Sequence, residues 1–426
     1  MKRNRVVITG MGIVSPIGNN IHDFTEALFS GKSGVMSMPE LADYGFKTLL
    51  GAIPEENESI QTLVNRYQLN KASDIVKHSL SAALEAWVSA GFHVPEDFNN
   101  SADADTGAII GTGMGAVDTI SDHVIPNSSP KNKRRLRSTI IEENMPNAPA
   151  AHVSMALGLG NRVSANSSAC ATGTEAIITA AERIAGGKAE RMLAGGSEAF
   201  SPYAWIGFDI MRVLAQKKNE IPQLASCPLS EHASGFVSGA GAGIVLLESY
   251  QSAKNRGAKI LAEYAGGYIN SGGMRDGGSM TAPSSKAVIQ CIKGALQDAA
   301  ITPGNINYVN GHLSSTMADV LEIQNISKAL GIKGKNFPFI NSLKAQTGHC
   351  IGAAGSVETI GGIIQMQHDK IAAAINSRPL HPDIASIGDE KKIAFKTINC
   401  NINYMLKTSF GFGDVNTCLI LKKSKN

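Results

Sequence analysis

The sequence predicts an α/β layered fold, and two observations carry that prediction. Short β-branched runs recur along the chain, most of them bounded by Gly or Ser, and longer helical patterns lie between them. This alternation argues for strands buried on both faces and covered by helices. The strand candidates are residues 5–9, 108–110, 192–194, 243–247, 259–264, 308–310, 338–340 and 418–422. Helical patterns are clearest over residues 73–90, 171–185, 285–299 and 357–368. The most polar junction is the stretch 248–257. The chain is therefore expected to form two α/β halves, 1–254 and 255–426, packed as one body. No internal repeat is legible in the letters, and no low-complexity linker separates the halves.

Length and composition bound the function. A chain of 426 residues, 43% hydrophobic and 18% charged, has the balance of a soluble globular protein with a large core. A net charge of +3 gives no argument for nucleic acid or a membrane surface. The six cysteines (Cys170, Cys227, Cys291, Cys350, Cys400 and Cys418) are scattered without a CxxC pair, so neither a metal site nor a disulfide framework is expected. The basic, apolar start resembles a signal peptide only superficially, because Gly10, Gly12, Pro16 and Gly18 break it early. No run approaches the roughly 18 apolar residues of a membrane span. A cytoplasmic protein is expected.

Four segments carry chemistry. In NSSACATGTEAIITAAERIAGG, at 166–187, small residues surround Cys170 and a regular apolar helix follows. That places the thiol at a strand-to-helix turn, where free N–H groups and the helix dipole favour thiolate. In YVNGHLSSTMADVLE, at 308–322, His312 falls just beyond the C-terminal end of a strand, where open α/β sheets place functional groups. In NSLKAQTGHCIGAAGSVETI, at 341–360, Lys344 and His349 flank a Gly-rich turn before a small-residue helix. In TSFGFGDVN, at 408–416, two aromatics stand between glycines. Taken singly, each has an ordinary reading: a buried cysteine, a loop histidine, an anion site, a Gly-rich turn.

Together, in order and spacing, these segments resemble the β-ketoacyl-acyl-carrier-protein synthases of the thiolase superfamily. The resemblance runs from VVITGMGIVSPIG through GTGMG at 111–115, SSACATGT around Cys170 and GFVSGAGAG at 235–243. It continues through RGAKI at 256–260, MTAP at 280–283, KAQTGHCIGAAG at 344–355 and SFGFG at 409–413. It implies a thiolase-like layered fold of two similar halves and a decarboxylative Claisen condensation. An acyl chain would be held as a thioester on Cys170 and extended by two carbons from malonyl-carrier protein, in fatty acid or related polyene or polyketide synthesis. His312 and His349 would stabilise the enolate. Lys344 would set their electrostatics, with Glu322 as its carboxylate partner. Backbone N–H groups of Cys170 and Phe412 would form a second oxyanion hole, with the Phe412 ring as a gate. Thr281, Ser314, Thr316 and Phe410 would line the substrate channel. Met114 would limit acyl-pocket depth, and Phe208 would lie near a dimer interface.

The resemblance also implies an acidic acyl carrier protein as partner, docking on Lys133, Arg134, Arg135 and Arg137. The substrates would be acyl and malonyl thioesters. A homodimer, or a heterodimer with a related subunit, is expected. No cofactor is required, because the phosphopantetheine arm belongs to the carrier. This chain departs from the family pattern at Leu313, Ser314 and Met317, at Ala233, Ser234 and Ala240, and at Asp414. The loop before Asp319 is also one residue shorter. These departures point towards a specialised synthase and leave every catalytic residue type in place. The alternative is a non-catalytic chain-length-type partner subunit, which typically lacks the nucleophile that this chain keeps. A nucleotide-binding reading fails because GMGIVSPIG does not match GxGxxG. A degradative thiolase would pair its nucleophile with a second cysteine where this chain has two histidines and Lys344.

Overall fold

Ten strands join edge to edge in the computed structural model, which describes residues 3–97, 101–216 and 218–424. They are β1 (Val6–Val14), β2 (Thr106–Gly111), β3 (Val163–Ser164), β4 (Arg191–Glu198), β5 (Gly241–Ser249), β6 (Ala262–Ser271), β7 (Tyr308–Asn310), β8 (Phe339–Asn341), β9 (Tyr404–Gly411) and β10 (Val415–Lys423). Six helices matter most for the site. They are α1 (Asp74–Ser89), α2 (Ala148–Leu157), α3 (Thr172–Ala185), α4 (Ser285–Asp298), α5 (Ala318–Leu330) and α6 (Ala354–His368).

The strand order is β8-β7-β9-β10-β6-β1-β5-β4-β2-β3. Divided between β6 and β1, it is one pattern written twice. In each half the first strand runs antiparallel to the fifth and the fifth antiparallel to the fourth. The fourth, second and third strands are then parallel neighbours. A short antiparallel pairing of Val6–Ile8 with Ala262–Tyr264 joins the halves. The topology thus carries a duplication that the letters do not.

Apolar side chains sort these elements into layers. α1 and α2 cover the outer face of the first half-sheet with Ile75, Val76, Leu80, Val153 and Leu157. α4 and α5 cover the outer face of the second with Val288, Ile292, Ile323 and Ile326. Between the half-sheets lie α3 and α6, whose Ile177, Ile178, Val357, Ile360 and Ile363 share one core. These two central helices touch through glycines. A Cβ on Gly173 would stand 2.7 Å from the Ser356 nitrogen, and one on Gly355 would stand 2.7 Å from the Thr174 nitrogen. Only residues without a side chain allow that approach.

The stretch 248–257, expected to be a polar junction, connects β5 of the first half with β6 of the second. Glu248, the next-to-last residue of β5, is fully buried and paired at 2.7 Å with Arg256, and Tyr250–Asn255 forms a short helix between them. Glu248 and Arg256 satisfy each other, while Gln251, Lys254 and Asn255 face solvent. β9 is a strand that the sequence reading missed. No helix among the described residues is long and apolar enough to cross a membrane.

Candidate active site

Cys170 sits at the elbow that the small residues predicted. Ala169–Ala171 forms a 3₁₀ turn that opens onto α3, and Ala169 takes φ +49°, a left-handed conformation strained for a residue with a Cβ. Thr172 pins the turn. Its Oγ1 accepts the Ser168 N–H at 2.8 Å and donates to the Ala169 carbonyl at 2.7 Å, while its own carbonyl accepts from Asn166 Nδ2. Gly411, at the end of β9, passes against the elbow where a Cβ would come within 2.3 Å of the Ser168 carbonyl. That contact brings the Phe410–Phe412 segment to the thiol.

Two imidazoles converge on the same space, their ring centroids 5.4 Å apart at 80°. His312 follows β7 and is held through its backbone. Its N–H donates to Glu322 Oε1 at 2.8 Å, and its carbonyl accepts from Lys344 Nζ at 2.6 Å. His349 follows left-handed Gly348, and its N–H donates to the Val237 carbonyl at 2.7 Å. Its Nδ1 accepts the Ile351 N–H at 3.2 Å, so the neutral ring carries its proton on Nε2.

The structure corrects the expected pairing of Lys344 with Glu322. Lys344 Nζ pairs with Glu358 Oε1 at 2.5 Å, and Lys407 pairs with the other oxygen at 2.6 Å. All three groups are buried. Glu322 instead accepts the N–H groups of His312 and Leu313 and the Thr408 hydroxyl. Its place on α5 aims it at the loop after β7, whereas Glu358 on α6 faces the two ammoniums. Glu358, Lys407, Thr408 and Glu198 are site residues that the sequence reading missed. Glu198, buried at the end of β4, accepts N–H groups from Gly113, Met114 and Gly352 and the Thr112 hydroxyl. A signal existed for Glu358 and Lys407, since each is a lone charge in a run that otherwise reads as core.

The electrostatics follow from burial. Desolvation, reinforced by the Lys344 charge, pulls both imidazoles well below the usual histidine pKa, so they are neutral N–H donors. Desolvation also pushes the Cys170 thiol up to about 12, against the opposing pull of Lys344. Burial thus opposes the thiolate that the helix end was expected to favour. Burial likewise raises the Glu198 and Asp319 carboxyls to about 7.

A cavity of about 400 Å³ opens onto these groups. Cys170, His312, His349 and Glu322 line it, together with the expected channel residues Phe208, Thr281, Ser314, Thr316, Phe410 and Phe412. Lys344 lies behind His312, outside the lining. Met114 does not border this cavity either: its side chain is 40% exposed and its N–H is held by Glu198. The Phe412 ring, 36% exposed at the mouth, meets Phe208 edge-on with centroids 6.3 Å apart. Lys133, Arg134, Arg135 and Arg137 are exposed on the segment before α2, with Arg137 3.5 Å from Glu143.

Two departures from the family pattern now have a structural account. Leu313, at φ +22°, is fully buried and packs over Gly311, so a side chain fills the space that a glycine would leave. Asp414, at φ +59°, does not put a free charge near the gate. Its buried carboxylate accepts the N–H groups of Met274 and Ser284, tying the Phe412 turn to the loop that carries Thr281.

Comparison with known proteins bears on this geometry. The profile of the beta-ketoacyl synthase N-terminal domain matches residues 3–253, and that of the C-terminal domain matches residues 261–378. A 3-oxoacyl-[acyl-carrier-protein] synthase 2 of Vibrio harveyi is 34% identical, over 99% of both chains. A 3-oxoacyl-[acyl-carrier-protein] synthase 1 of Escherichia coli is 32% identical, over 99% of this chain and 100% of its own. Among solved structures, a beta-ketoacyl synthase from Burkholderia phymatum superposes with a TM-score of 0.87 at 31% identity, covering 99% of this chain and 100% of its own. A type II polyketide ketosynthase, solved with its acyl-carrier protein and bound to the hexaketide, also gives 0.87, at 29% identity and the same coverage.

Proposed function

The chain belongs to the β-ketoacyl synthase family of condensing acyltransferases, and we propose that its own residues divide the decarboxylative condensation as follows. Cys170 takes the acyl group: its sulfur attacks the incoming thioester carbonyl, the carrier thiol leaves, and the Cys170 proton departs with the exchange. A malonyl thioester then loses carbon dioxide beside His312 and His349. The N–H donors of the two neutral rings hold the enolate oxygen as its charge develops. The enolate carbon attacks the acyl-Cys170 carbonyl, with the backbone N–H groups of Cys170 and Phe412 facing the new oxyanion. Collapse of that intermediate releases the sulfur and a β-ketoacyl thioester longer by two carbons.

The pair of neutral imidazoles carries this reading, with the His349 proton fixed on Nε2 by the Ile351 N–H. Lys344 and Glu322 act as positioning residues, one on the His312 carbonyl and the other on its N–H. The substrates are acyl and malonyl groups on an acyl carrier protein, docking through Lys133, Arg134 and Arg135, with Arg137 braced by Glu143. This chemistry calls on no cofactor of the protein's own. The active unit is a dimer, of this chain with itself or with a related subunit. A non-catalytic partner role has little to recommend it in a site that keeps the thiol and both imidazoles.

The test is mass spectrometry of carrier-bound products formed from malonyl-carrier protein and a panel of acyl-carrier proteins. Extended β-keto products that vanish in Cys170→Ala establish the function. Acyl transfer to Cys170 without extension would show that a second subunit is missing.

A further inference from the structure

His312 emerges past the end of β7, the middle of three parallel strands in the order β8-β7-β9, and an ammonium is placed on each side of it. Lys344 follows β8, whose Asn341 pairs in register with Asn310 of β7. Lys407 lies within β9, opposite the same Asn310, just before Gly311 and His312. Glu358 of α6 joins the two: its Oε1 pairs with Lys344 Nζ at 2.5 Å and its Oε2 with Lys407 Nζ at 2.6 Å. Each ammonium also donates to a backbone carbonyl at 2.6 Å, Lys344 to that of His312 and Lys407 to that of Thr408. The Thr408 hydroxyl in turn accepts the His312 N–H at 3.1 Å.

Lys344 alone would neutralise Glu358, so Lys407 is a second positive charge against one carboxylate. The side chains of all three are 1% exposed or less. Burying an ammonium is costly, and an apolar side chain in its place is commonly neutral or stabilising, so the fold gives no reason for it. We propose that Lys407 is a positioning residue for the condensation: with Lys344 it flanks His312 and keeps positive charge behind both imidazoles, so that the rings stay neutral while the enolate exists. The inference rests on the condensing reaction proposed above and deepens it.

The surrounding charges support this role. Desolvation depresses the His312 ring first, followed by the charges of Lys344, His349 and Lys407; for His349 the order is desolvation, Lys344 and Lys407. Burial draws Lys407 itself below the usual lysine range, and Glu358 opposes that. The other groups facing Lys407 are Glu322 of α5, engaged by the His312 and Leu313 N–H groups and the Thr408 hydroxyl, and the Cys418 thiol of β10, kept protonated by burial. Neutrality matters to the chemistry. A neutral imidazole donates a hydrogen bond to the enolate oxygen and keeps its proton. An imidazolium is a far stronger acid: it would pass a ring proton to the enolate carbon, forming a C–H bond and returning to the neutral ring. An acetyl thioester would then leave in place of the β-keto product.

The experiment follows acetyl-carrier and β-keto products formed from malonyl-carrier protein and an acyl-carrier primer, across about pH 5 to 8, in wild type, Lys407→Met and Lys407→Gln. Glu358 keeps Lys344 as its partner in both variants. A second readout needs no turnover: titration of the His312 and His349 rings by NMR in histidine-labelled protein, assigned with His312→Ala and His349→Ala. Both Lys407 variants should move the ring titrations and the acid limb of condensation up by about one pH unit, and raise the acetyl share of the product severalfold on the acid side. Lys407→Gln keeps a donor for Glu358 without the charge, so a wild-type profile in that variant would overturn the inference. Rates lowered by one factor at every pH with an unchanged acetyl share would also overturn it, as would rings that stay neutral to the same pH in all three proteins. Absence of β-keto product from every protein, with ring titrations that still depend on Lys407, would count against the condensing function and not against the role of Lys407.

Discussion

Residues 169–171 and 351–353 occupy equivalent places in the two halves, and their difference shows how the chemistry is divided. Each is a 3₁₀ turn opening onto a central helix, and each begins with a non-glycine residue in the left-handed region, Ala169 at +49° and Ile351 at +43°. The first turn presents Cys170. At the matching position the second has Gly352, whose N–H is bound by Glu198, and a Cβ there would stand 2.4 Å from the Gly113 nitrogen. The second elbow is closed, and its half contributes His349 and His312 instead. A parallel exists one loop away. The N–H groups after β2 are held by Glu198, and those after β7 by Glu322. The same device, a buried carboxylate gripping backbone N–H groups, stiffens an unreactive loop in one half and positions an imidazole in the other.

The division can be broken at several points. Cys170→Ala should reduce condensation by about 10⁴-fold or more while malonyl decarboxylation persists, because the imidazoles do not depend on the sulfur. His349→Ala should lower decarboxylation itself by about 10²–10³-fold. Carbon dioxide release measured against β-keto product separates the two, and equal loss of both activities in Cys170→Ala would refute the division. Glu358→Gln leaves two buried ammoniums facing each other, and denaturant unfolding should show a loss of about 3–5 kcal/mol. Glu322→Gln keeps an acceptor for one of the two N–H groups and should cost less, chiefly through the position of His312.

Gly352→Ala tests the closed elbow. It should destabilise by about 1–3 kcal/mol, whereas a silent substitution would mean that the second turn has room for a side chain. The smallest effect concerns pH. The Glu198 carboxyl is raised by burial to about 7, above its unfolded value of about 4.3, so its contribution is complete below the lower figure and is lost as pH rises towards 7. Melting temperatures of Glu198→Gln and wild type should therefore converge between pH 5 and 7 and run parallel above it. The depressed imidazoles act in the opposite sense. Their contribution is present above about pH 6.5 and lost below it, and His349→Ala should flatten that acid limb.

Much of the reactive centre was legible because its local needs leave marks. Cys170 requires small neighbours before a helix, and His312 stands just past a strand whose observed bounds, Tyr308–Asn310, match the expected ones. The partners of those residues were not legible, since they depend on contacts between distant elements. Whether Lys344 meets Glu322 or Glu358 is set by how α5 and α6 face it, and no spacing in the chain encodes that. β9 was missed for a related reason. YMLKTSFG mixes Lys407, Thr408 and Ser409 into the strand, and these polar groups are buried only because Glu358, Glu322 and Thr174 meet them. The two similar halves were implied by the family resemblance and not by any repeat in the letters, because the duplication survives in strand order, while the residues of the halves have diverged to serve different tasks.

The close approach of α3 and α6 at Gly173 and Gly355 has a consequence for how the chain is made. On the ribosome the first half emerges with α3 complete, but the helix that covers its apolar flank ends only at His368. Nearly two hundred residues must be synthesised after α3 before that flank is covered, and at about 5–20 residues per second this takes on the order of ten seconds or more. Over that interval the nascent chain offers a greasy surface to other nascent chains and to chaperones.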